Sequence, residues 1–535
     1  MSINKLVIHL ELAVLGIVLV VLLLSALDRG KGNQGTLKTS QQIKQHRQVQ
    51  AEESTQQESQ VLQIDQVDQA ELFADIHVPP REREIWFGDL DKMLERGQIR
   101  VLIPFSRTFF FKDNGQELGL DADILGLYKD FINDKIVLGD KKMELIFLPT
   151  PQERLLEDLL AGKGDIVATA VQPQPTQEKT VKFISPVALD IQEILMSGPN
   201  KSQFKSIFNL SGQEITVHKN STYAASLHKL NNTLISIGRK PVILHWADPL
   251  LTEEDLLEMT ATGLVPMTVI DSHVGEFWAT VLSDVKLHKK IVLRTAKELT
   301  WGVRADNQLL QRSITYFKDN IYISENSHQA LAEYYRKQGG FLKNSLEPAS
   351  LKRYQSMAKF LKKYGTAYRF PSLMLAALAY QQSALTPSFR GKNGAIGVMG
   401  IIPALLERSV EINLKKVQNP DYNIQVAARY LRFLVDHYFS SQELSTLDQN
   451  LMALAAYTAG PEQVIAARKR AALAGYNPDI WFNHTEAALL LEGRAEEIRT
   501  ARFVRHIYAY FNVYTNLFSF SRESGAGSTV NSKGQ

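Results

Sequence analysis

The chain has 535 residues, of which 44% are hydrophobic, and a formal net charge of +3 at pH 7. This length predicts two or three domains with sizeable apolar cores, and the interspersed acids and bases argue against a nucleic-acid-binding protein. Because the sequence contains no cysteine, it excludes disulfides, thiolate metal sites and a lipid-modified cysteine. We predict neither a metal site nor a cofactor.

The N-terminal segment is the first candidate element. Residues 10–27 are almost wholly apolar, and their number is near the lower limit for a membrane-spanning helix. We predict an uncleaved signal anchor over residues 1–29; the alternative is a cleaved signal peptide, for which residues 24–26 (Leu-Ser-Ala) are a poor cleavage site. Residues 30–80 are rich in Gln, Ser, Lys and Glu. They predict a flexible linker, because they offer little apolar surface to offset the entropy cost of ordering.

Between residues 81 and 322, short apolar strands alternate with helices. The predicted strands cover 99–104, 144–148 and 164–169, and the helices cover 121–133 and 152–160. A second series runs from a strand at 214–217 to a strand at 266–271, and the chain returns at 299–303. The alternation predicts an α/β domain with a largely parallel sheet. Two such series with a returning segment predict two lobes and a cleft between them.

From residue 323 to residue 522 the apolar pattern has helical spacing. Ser350 is a candidate N-cap for a helix to residue 361, and Pro371 suits the first turn of a helix that ends near residue 382. Further amphipathic helices are predicted over 425–438, 447–456, 462–474 and 501–515. We expect residues 523–535 to form a disordered tail.

Three short segments of this helical region form an ordered set. Residues 379–383 read Ala-Tyr-Gln-Gln-Ser, residues 394–399 read Gly-Ala-Ile-Gly-Val-Met, and residues 455–460 read Ala-Ala-Tyr-Thr-Ala-Gly. Together they resemble the lysozyme-like domain of the soluble-type lytic transglycosylases. The resemblance implies an all-α lysozyme-like fold. It also implies a groove for peptidoglycan glycan strands that is lined by Tyr380, Ser383, Met399, Tyr457 and Thr458.

The catalytic acid of that family does not occur at its expected position. In the family one glutamate, immediately before the serine, protonates the glycosidic oxygen and then, as a carboxylate, takes a proton from the sugar's 6-hydroxyl group. Gln382 occupies this position, and an amide can do neither task, so we predict that it is catalytically inert. Gly400, Thr458 and Phe503 are further departures, since the family has glutamine, asparagine and tyrosine there.

Another acid is the alternative source of the missing proton. Glu462, just after the Gly-Pro pair that follows the third motif, is the first candidate, and Glu407 and Glu347 are weaker ones. An acid at the first turn of a helix is also favoured simply by the helix dipole, so Glu462 has a structural interpretation as well.

The α/β region resembles the periplasmic solute-binding domains of the amino-acid-binding type. The resemblance is carried by residues 97–101, 113–123, 160–166 and 183–186. It implies that Asp271 holds a ligand amino group at a strand end and that Lys179 stands where the family has an arginine for the ligand carboxylate. The alternatives are that Asp271 caps a helix, that Lys179 is a surface residue, and that residues 109–111 (Phe-Phe-Phe) pack in the core rather than on a ligand.

The order of the two modules is that of the membrane-bound lytic murein transglycosylase F type. The resemblance implies a single-pass inner-membrane protein with both modules in the periplasm. We expect a peptidoglycan-binding protein that is catalytically impaired and regulatory or sensory, with a muropeptide or an amino acid as ligand and no nucleic-acid partner. Two alternatives remain open: an active lytic transglycosylase with a displaced acid, and a solute receptor whose helical domain is only a scaffold.

Overall fold

A computed structural model describes residues 84–136, 142–169, 179–185, 191–201, 203–297, 300–320, 329–406 and 409–526. The predicted anchor (1–29), the predicted linker (30–80) and Glu407 therefore lie outside the described residues. Within the described ranges, no helix combines the length and the apolarity that a membrane crossing requires. The described ranges all belong to one compact unit, residues 80–535.

The first lobe is built on a five-stranded sheet with the order β4 (Glu144–Pro149), β1 (Gln98–Ile103), β5 (Ile166–Ala168), β12 (Trp301–Arg304) and β6 (Val181–Ile184). Its elements are α1 (Leu90–Arg96), β1 (Gln98–Ile103), β2 (Phe111–Asp113), β3 (Gln116–Leu118), α2 (Leu120–Lys135), β4 (Glu144–Pro149), α3 (Leu155–Leu160), β5 (Ile166–Ala168) and β6 (Val181–Ile184). Strand β1 is buried on both faces, as central strands of α/β sheets are, and it pairs parallel with β4 and β5. The predicted parallel sheet is confirmed for these three strands.

The second lobe departs from the prediction. Its elements are β7 (Ile191–Ser197), β8 (Glu214–Val217), α4 (Thr222–Ser236), β9 (Ile243–Trp246), α5 (Glu253–Ala261), β10 (Met267–Asp271), α6 (Ser272–Val281) and β11 (Lys286–Lys297). Strand β7 pairs antiparallel with both β10 and β11, and only β8 and β9 pair parallel. A largely parallel arrangement is therefore wrong for this lobe. Antiparallel partners need no crossover helix, so alternation along the sequence does not fix strand direction.

The chain then returns to the first lobe. Strand β12 (Trp301–Arg304) inserts between β5 and β6 and runs antiparallel to both. Helix α7 (Gln308–Asn320) follows it, with Leu310, Ile314 and Phe317 fully buried in the same core as β1. The returning segment is thus a structural part of the first lobe, as the sequence indicates.

The C-terminal part of the unit is helical. Its helices are α8 (Gln329–Gln338), α9 (Pro348–Ala367), α10 (Ser372–Ser383), α11 (Pro403–Leu406), α12 (Pro420–Tyr438), α13 (Thr446–Ala459), α14 (Pro461–Leu473), α15 (Glu486–Leu489) and α16 (Ala495–Ala526). Helix α10 is central, and its residues from Met374 to Tyr380 are at most 6% exposed. Helix α9 begins at Pro348 with Glu347 as its N-cap residue, so the Ser350 cap was wrong by one turn.

One apolar core joins the helical region to the second lobe. Leu256 and Met259 of α5 belong to the same cluster of buried residues as Leu375 of α10 and Val504 of α16. Such packing excludes water from the interface between the two regions. The second lobe and the helical region therefore share one hydrophobic core.

Candidate functional site

The C-terminal end of α10 places the motif Gln-Gln-Ser. The helix ends at Ser383, and Ala384 and Leu385 both adopt positive φ angles of 51° and 60°. The Ser383 hydroxyl lies 2.7 Å from the carbonyl oxygen of Val398 and accepts from the Thr386 N–H at 3.0 Å. Ser383, which is buried, therefore fastens the helix end to the second motif.

Asn423 fixes the shape of that second motif, which the sequence analysis missed. Its Nδ2 donates to the carbonyl oxygens of Ile396 (3.1 Å) and Val417 (2.7 Å), and its Oδ1 accepts from the Met399 N–H at 2.8 Å. A Cβ at Gly397 would lie only 2.3 Å from Asn423 Nδ2, so the glycine is needed for this close approach. A polar residue between the apolar residues of a core helix was the available signal.

Gln382 and Gly400 are in direct contact. Gly400 has a φ of 61°, and a Cβ at this position would lie 2.7 Å from Gln382 Oε1 and 3.2 Å from Gln382 Cβ. The glutamine side chain thus lies over the bare backbone of residue 400. A side chain at residue 400 would therefore overlap the Gln382 side chain in its present position, so residues 382 and 400 constrain each other sterically.

Most of the predicted groove residues make their contacts with other parts of the protein. Tyr457 donates to the carbonyl oxygen of Met399 at 2.9 Å, and burial raises its pKa far above the ordinary value. Tyr380 donates to the carbonyl oxygen of Asn344 at 2.9 Å. Tyr380, Ser383, Met399 and Tyr457 are each at most 7% exposed, whereas Thr458 is exposed. The visible contacts of these four buried residues are with the protein itself, so their part in a glycan groove stays a prediction.

The candidate replacement acids differ in position. Glu462 is exposed in the first turn of α14. Burial raises the pKa values of Tyr430 and Tyr438, and the negative charge of Glu462 raises them further. The Tyr430 ring lies 5.9 Å from that of Tyr457. Glu462 therefore lies close enough to Tyr430 and Tyr438 to influence their hydroxyl groups electrostatically. In the described ranges, no carboxylate hydrogen-bonds to Gln382.

Glu347, the other candidate acid among the described residues, and Phe503, one of the motif departures, lie in different surroundings. Glu347 is exposed at the start of α9, and its charge adds, after burial, to the raised pKa of Tyr380. Phe503 is half-buried and packs against the core of the helical region, so its ring contributes packing where a tyrosine would offer a hydroxyl.

The two residues predicted for the solute ligand do not contact each other. Asp271 is buried at the N-cap position of α6, yet its side chain makes no capping hydrogen bond. Instead it bonds to Tyr223, whose pKa is raised by burial first and then by the charges of Glu253 and Asp271. Lys179 is exposed in a turn. Asp271 is thus the N-cap residue, as the capping interpretation predicts, but its side chain does not cap the helix.

The phenylalanine triplet divides between two environments. Phe110 is fully buried and stacks on Phe147 with ring centroids 5.1 Å apart. The Phe109 ring lies 6.1 Å from that of His273, two residues beyond Asp271. Phe111 contacts Tyr334 and Tyr335 of α8. Core packing is therefore confirmed for Phe110, while its neighbours face elements outside the first lobe's sheet.

A buried charge network joins the lobes and the helical region. Arg107 of the first lobe donates to Asp255 and Glu258 of α5, at 2.6 Å each. Arg505 of α16 donates to Asp255 at 3.2 Å, and His506 lies 3.2 Å from Glu258. Burial alone would raise the pKa of Glu258, but His506 and Arg107 lower it to about 2. No pattern in the sequence indicates this pairing, since the partners are far apart in the chain.

Comparison with known proteins gives one family match within the helical region and several relatives that match most of the chain. Residues 359–479 match the family model of the transglycosylase SLT domain. Proteins named membrane-bound lytic murein transglycosylase F match most of the chain. The relative from Pseudomonas fluorescens (strain Pf0-1) is 24% identical over 447 residues, which is 80% of this chain and 86% of the relative. The relative from Desulfosudis oleivorans is 22% identical over 448 residues, or 80% of this chain and 94% of the relative.

Solved structures match slightly less than half of the chain. An ancestral arginine-binding protein bound to arginine is 19% identical and has a TM-score of 0.32, covering 45% of this chain and 98% of its own. The holo arginine-binding protein ArgBP from T. maritima is 18% identical with a TM-score of 0.33, covering 46% of this chain and 99% of its own.

Proposed function

We propose that this chain is a peptidoglycan-binding protein whose helical region holds glycan strands without cutting them. The match of residues 359–479 to the transglycosylase SLT domain and the relatives named for murein support the substrate class. The single observation that carries the loss of cutting is Gln382, whose amide occupies the position of the family's acid and lies against Gly400.

The chemistry of the reaction explains why this change matters. The leaving oxygen must receive a proton as the glycosidic bond breaks, and the 6-hydroxyl must lose one as the anhydro ring closes. A glutamine side chain has no proton to give at any ordinary pH and is too weakly basic to take one. Loss of general acid–base catalysis typically lowers rates by about 100- to 10,000-fold.

The remaining parts of the proposal concern location and the solute module. We place the chain in the inner membrane through its N-terminal segment, with both modules in the periplasm. The two lobes would sense a muropeptide or an amino acid, with Asp271 for an amino group and Lys179 for a carboxylate. Closure of such lobes around a ligand would bias the helical region through their shared core.

Digestion of purified peptidoglycan tests the loss of cutting. We expect no anhydro-muropeptides from the native chain and their appearance with Gln382→Glu. A matched variant, Gln381→Glu, adds the same charge one residue earlier and should stay inactive. Products from the native chain would overturn the proposal and favour the displaced-acid alternative. In that case Glu462→Gln should abolish the activity, because Glu462 is the described acid beside Tyr430.

Retention on intact sacculi tests glycan binding separately. We expect the native chain to co-sediment with sacculi and Thr458→Trp, which adds bulk at the exposed groove residue, to be released. Thr315→Trp adds the same bulk on an exposed position of α7 and should leave retention unchanged. A native chain that stays in the supernatant would contradict glycan binding and favour the solute receptor with a scaffold domain.

A further inference from the structure

A cavity of about 360 Å³ lies where the first lobe, α5 and the helical region meet. Phe105 and Ser106 line it from the first lobe, Glu254 from α5, Tyr335 from α8, and Leu490 and Arg502 from the helical region. Neither Asp271, Lys179 nor Gln382 lines it. The cavity is therefore separate from both sites considered above.

Glu254 supplies a negative charge to this cavity. The residue is only 7% exposed, and its Oε1 accepts from Ser106 Oγ (2.7 Å), Thr108 N (3.1 Å) and Thr108 Oγ1 (2.9 Å). In the described residues no donor reaches its Oε2 and no cation forms an ion pair with it. The neighbouring guanidinium of Arg107 is already engaged by Asp255 and Glu258. Glu254 Oε2 is therefore available to a donor inside the cavity, and a carboxylate forms its stronger hydrogen bonds with charged donors such as an ammonium group.

Arg502 supplies a positive charge from the opposite structural element. Its Nη1 donates to the carbonyl oxygen of Gly339 at 2.9 Å, which is a neutral acceptor. Among the described residues Arg502 makes no ion pair, unlike Arg505 one turn later, whose Nε donates to Glu486 at 2.6 Å. A guanidinium with free N–H groups is suited to a carboxylate.

Apolar and aromatic side chains also line the cavity, and its other charged lining residues include Arg107, Arg505 and Glu486, which are paired within the protein. Phe111, Tyr335, Leu490 and Ala501 line the same cavity. Burial raises the pKa of the Tyr335 hydroxyl well above its ordinary value, and Arg107 lowers it. Glu254 raises this pKa and Arg502 lowers it to smaller extents, so the hydroxyl lies within electrostatic range of both of these charges. One molecule of modest size would therefore meet an anion, an apolar wall and a cation together.

We propose that this cavity binds a small zwitterion, an amino acid or dipeptide with an apolar side chain, with its ammonium group on Glu254 and its carboxylate on Arg502. The site would draw ligand groups from both the solute-binding lobes and the helical region. It does not depend on whether the helical region cuts or only holds glycan.

Calorimetric titration of the full chain with three related probes tests the charge pattern. L-phenylalanine carries both charges, L-phenylalaninamide only the ammonium, and N-acetyl-L-phenylalanine only the carboxylate. We expect L-phenylalanine to bind at least about tenfold more tightly than either derivative, since each lost ion contact costs 1.4 kcal/mol or more. Equal affinities for all three, or no heat from L-phenylalanine and L-alanyl-L-phenylalanine up to about 10 mM, would overturn the proposal.

Two crossed variants assign each charge to its residue. Glu254→Gln should weaken L-phenylalanine and L-phenylalaninamide by about tenfold and leave N-acetyl-L-phenylalanine unchanged. Arg502→Gln should do the reverse for the two derivatives. Glu253→Gln and Arg499→Gln remove the same charges from exposed positions of the same helices and should bind all three probes like the native chain. Equal melting temperatures would show that the variants are folded.

The Asp271→Asn variant separates this site from the predicted cleft site. L-phenylalanine binding should survive it. Binding that is lost in Asp271→Asn but kept in both Glu254→Gln and Arg502→Gln would place the ligand at Asp271 and overturn the proposal. None of these outcomes bears on peptidoglycan cleavage, so failure here and failure of the proposed function are distinguishable.

Discussion

Gln382 and Gly400 form one steric unit at the residue scale. The amide of Gln382 fills the volume above residue 400, and Gly400 provides both that volume and a φ of 61°, which side chains rarely adopt. The contact couples the two positions, because a side chain at residue 400 would have to share this volume with the side chain of residue 382.

Substitution of Gly400 should expose this coupling. Gly400→Ala should destabilise the fold by about 2–3 kcal/mol, because the positive φ costs about 1 kcal/mol and the contact with Gln382 adds strain. Gly394→Ala is the matched control, since Gly394 has a φ of 83° but no atom within 4 Å of an added Cβ. It should show the backbone cost alone in a denaturant melt.

The double variant Gln382→Ala/Gly400→Ala completes the cycle. Removal of the amide should recover about 1 kcal/mol of the loss caused by Gly400→Ala, a non-additivity expected for residues in contact. Strictly additive losses would mean that the Gln382 side chain does not rest on residue 400 in solution.

The elements show which features the sequence could predict. Helices α10, α12 and α13 were predicted within a few residues of their observed bounds, because their apolar periodicity is set by burial in one core. The direction of β12 and the antiparallel pairing of β7 were not predictable, because strand direction depends on partners distant in sequence. The three motifs were predicted to lie together, but Asn423, which holds the second of them, was missed because its partners are backbone atoms.

Asn423 should be among the most sensitive positions of α12. Asn423→Ala removes three buried hydrogen bonds to the 394–401 and 417 backbone, and each unsatisfied partner costs about 1 kcal/mol or more. We expect a loss of about 3–4 kcal/mol in the free energy of unfolding. Asn512→Ala, which removes one bond within its own helix, should cost less than about 1 kcal/mol. Equal losses would show that Asn423 does not hold the motif.

At the scale of the whole molecule, charge pairs span the unit. This set consists of Arg107 from the first lobe, Asp255 and Glu258 from α5, and Arg505 and His506 from α16. The chain segments that separate these three elements each exceed 100 residues. Replacing one partner of such a buried set leaves an uncompensated charge, which typically costs about 3–5 kcal/mol. No local pattern in the sequence encodes these contacts, so the sequence predicted the modules but not the interface between them.

The pH dependence of the free energy of unfolding should show whether Glu258 is paired at this interface. The pKa of Glu258 is about 2 in the folded chain, against 4.5 as its ordinary value. In this range the unfolded chain binds more protons, so Glu258 contributes stability above about pH 4.5 that is lost as the pH falls toward 2. The contribution at neutral pH is about 3 kcal/mol. Glu258→Gln removes this titration, and its free energy of unfolding should fall less steeply between pH 5 and about 2.5 than that of the native chain.

Glu496→Gln is the matched control for that measurement, because it removes a carboxylate at an exposed position of α16. Its stability profile should run parallel to the native one. If the native chain and Glu258→Gln lose stability with the same slope on acidification, then Glu258 is not held by Arg107 and His506 in solution. The lobes and the helical region would then be joined by their apolar core and by the pairs of Asp255 with Arg107 and Arg505, and a ligand in either lobe would have to act on α10 through these contacts.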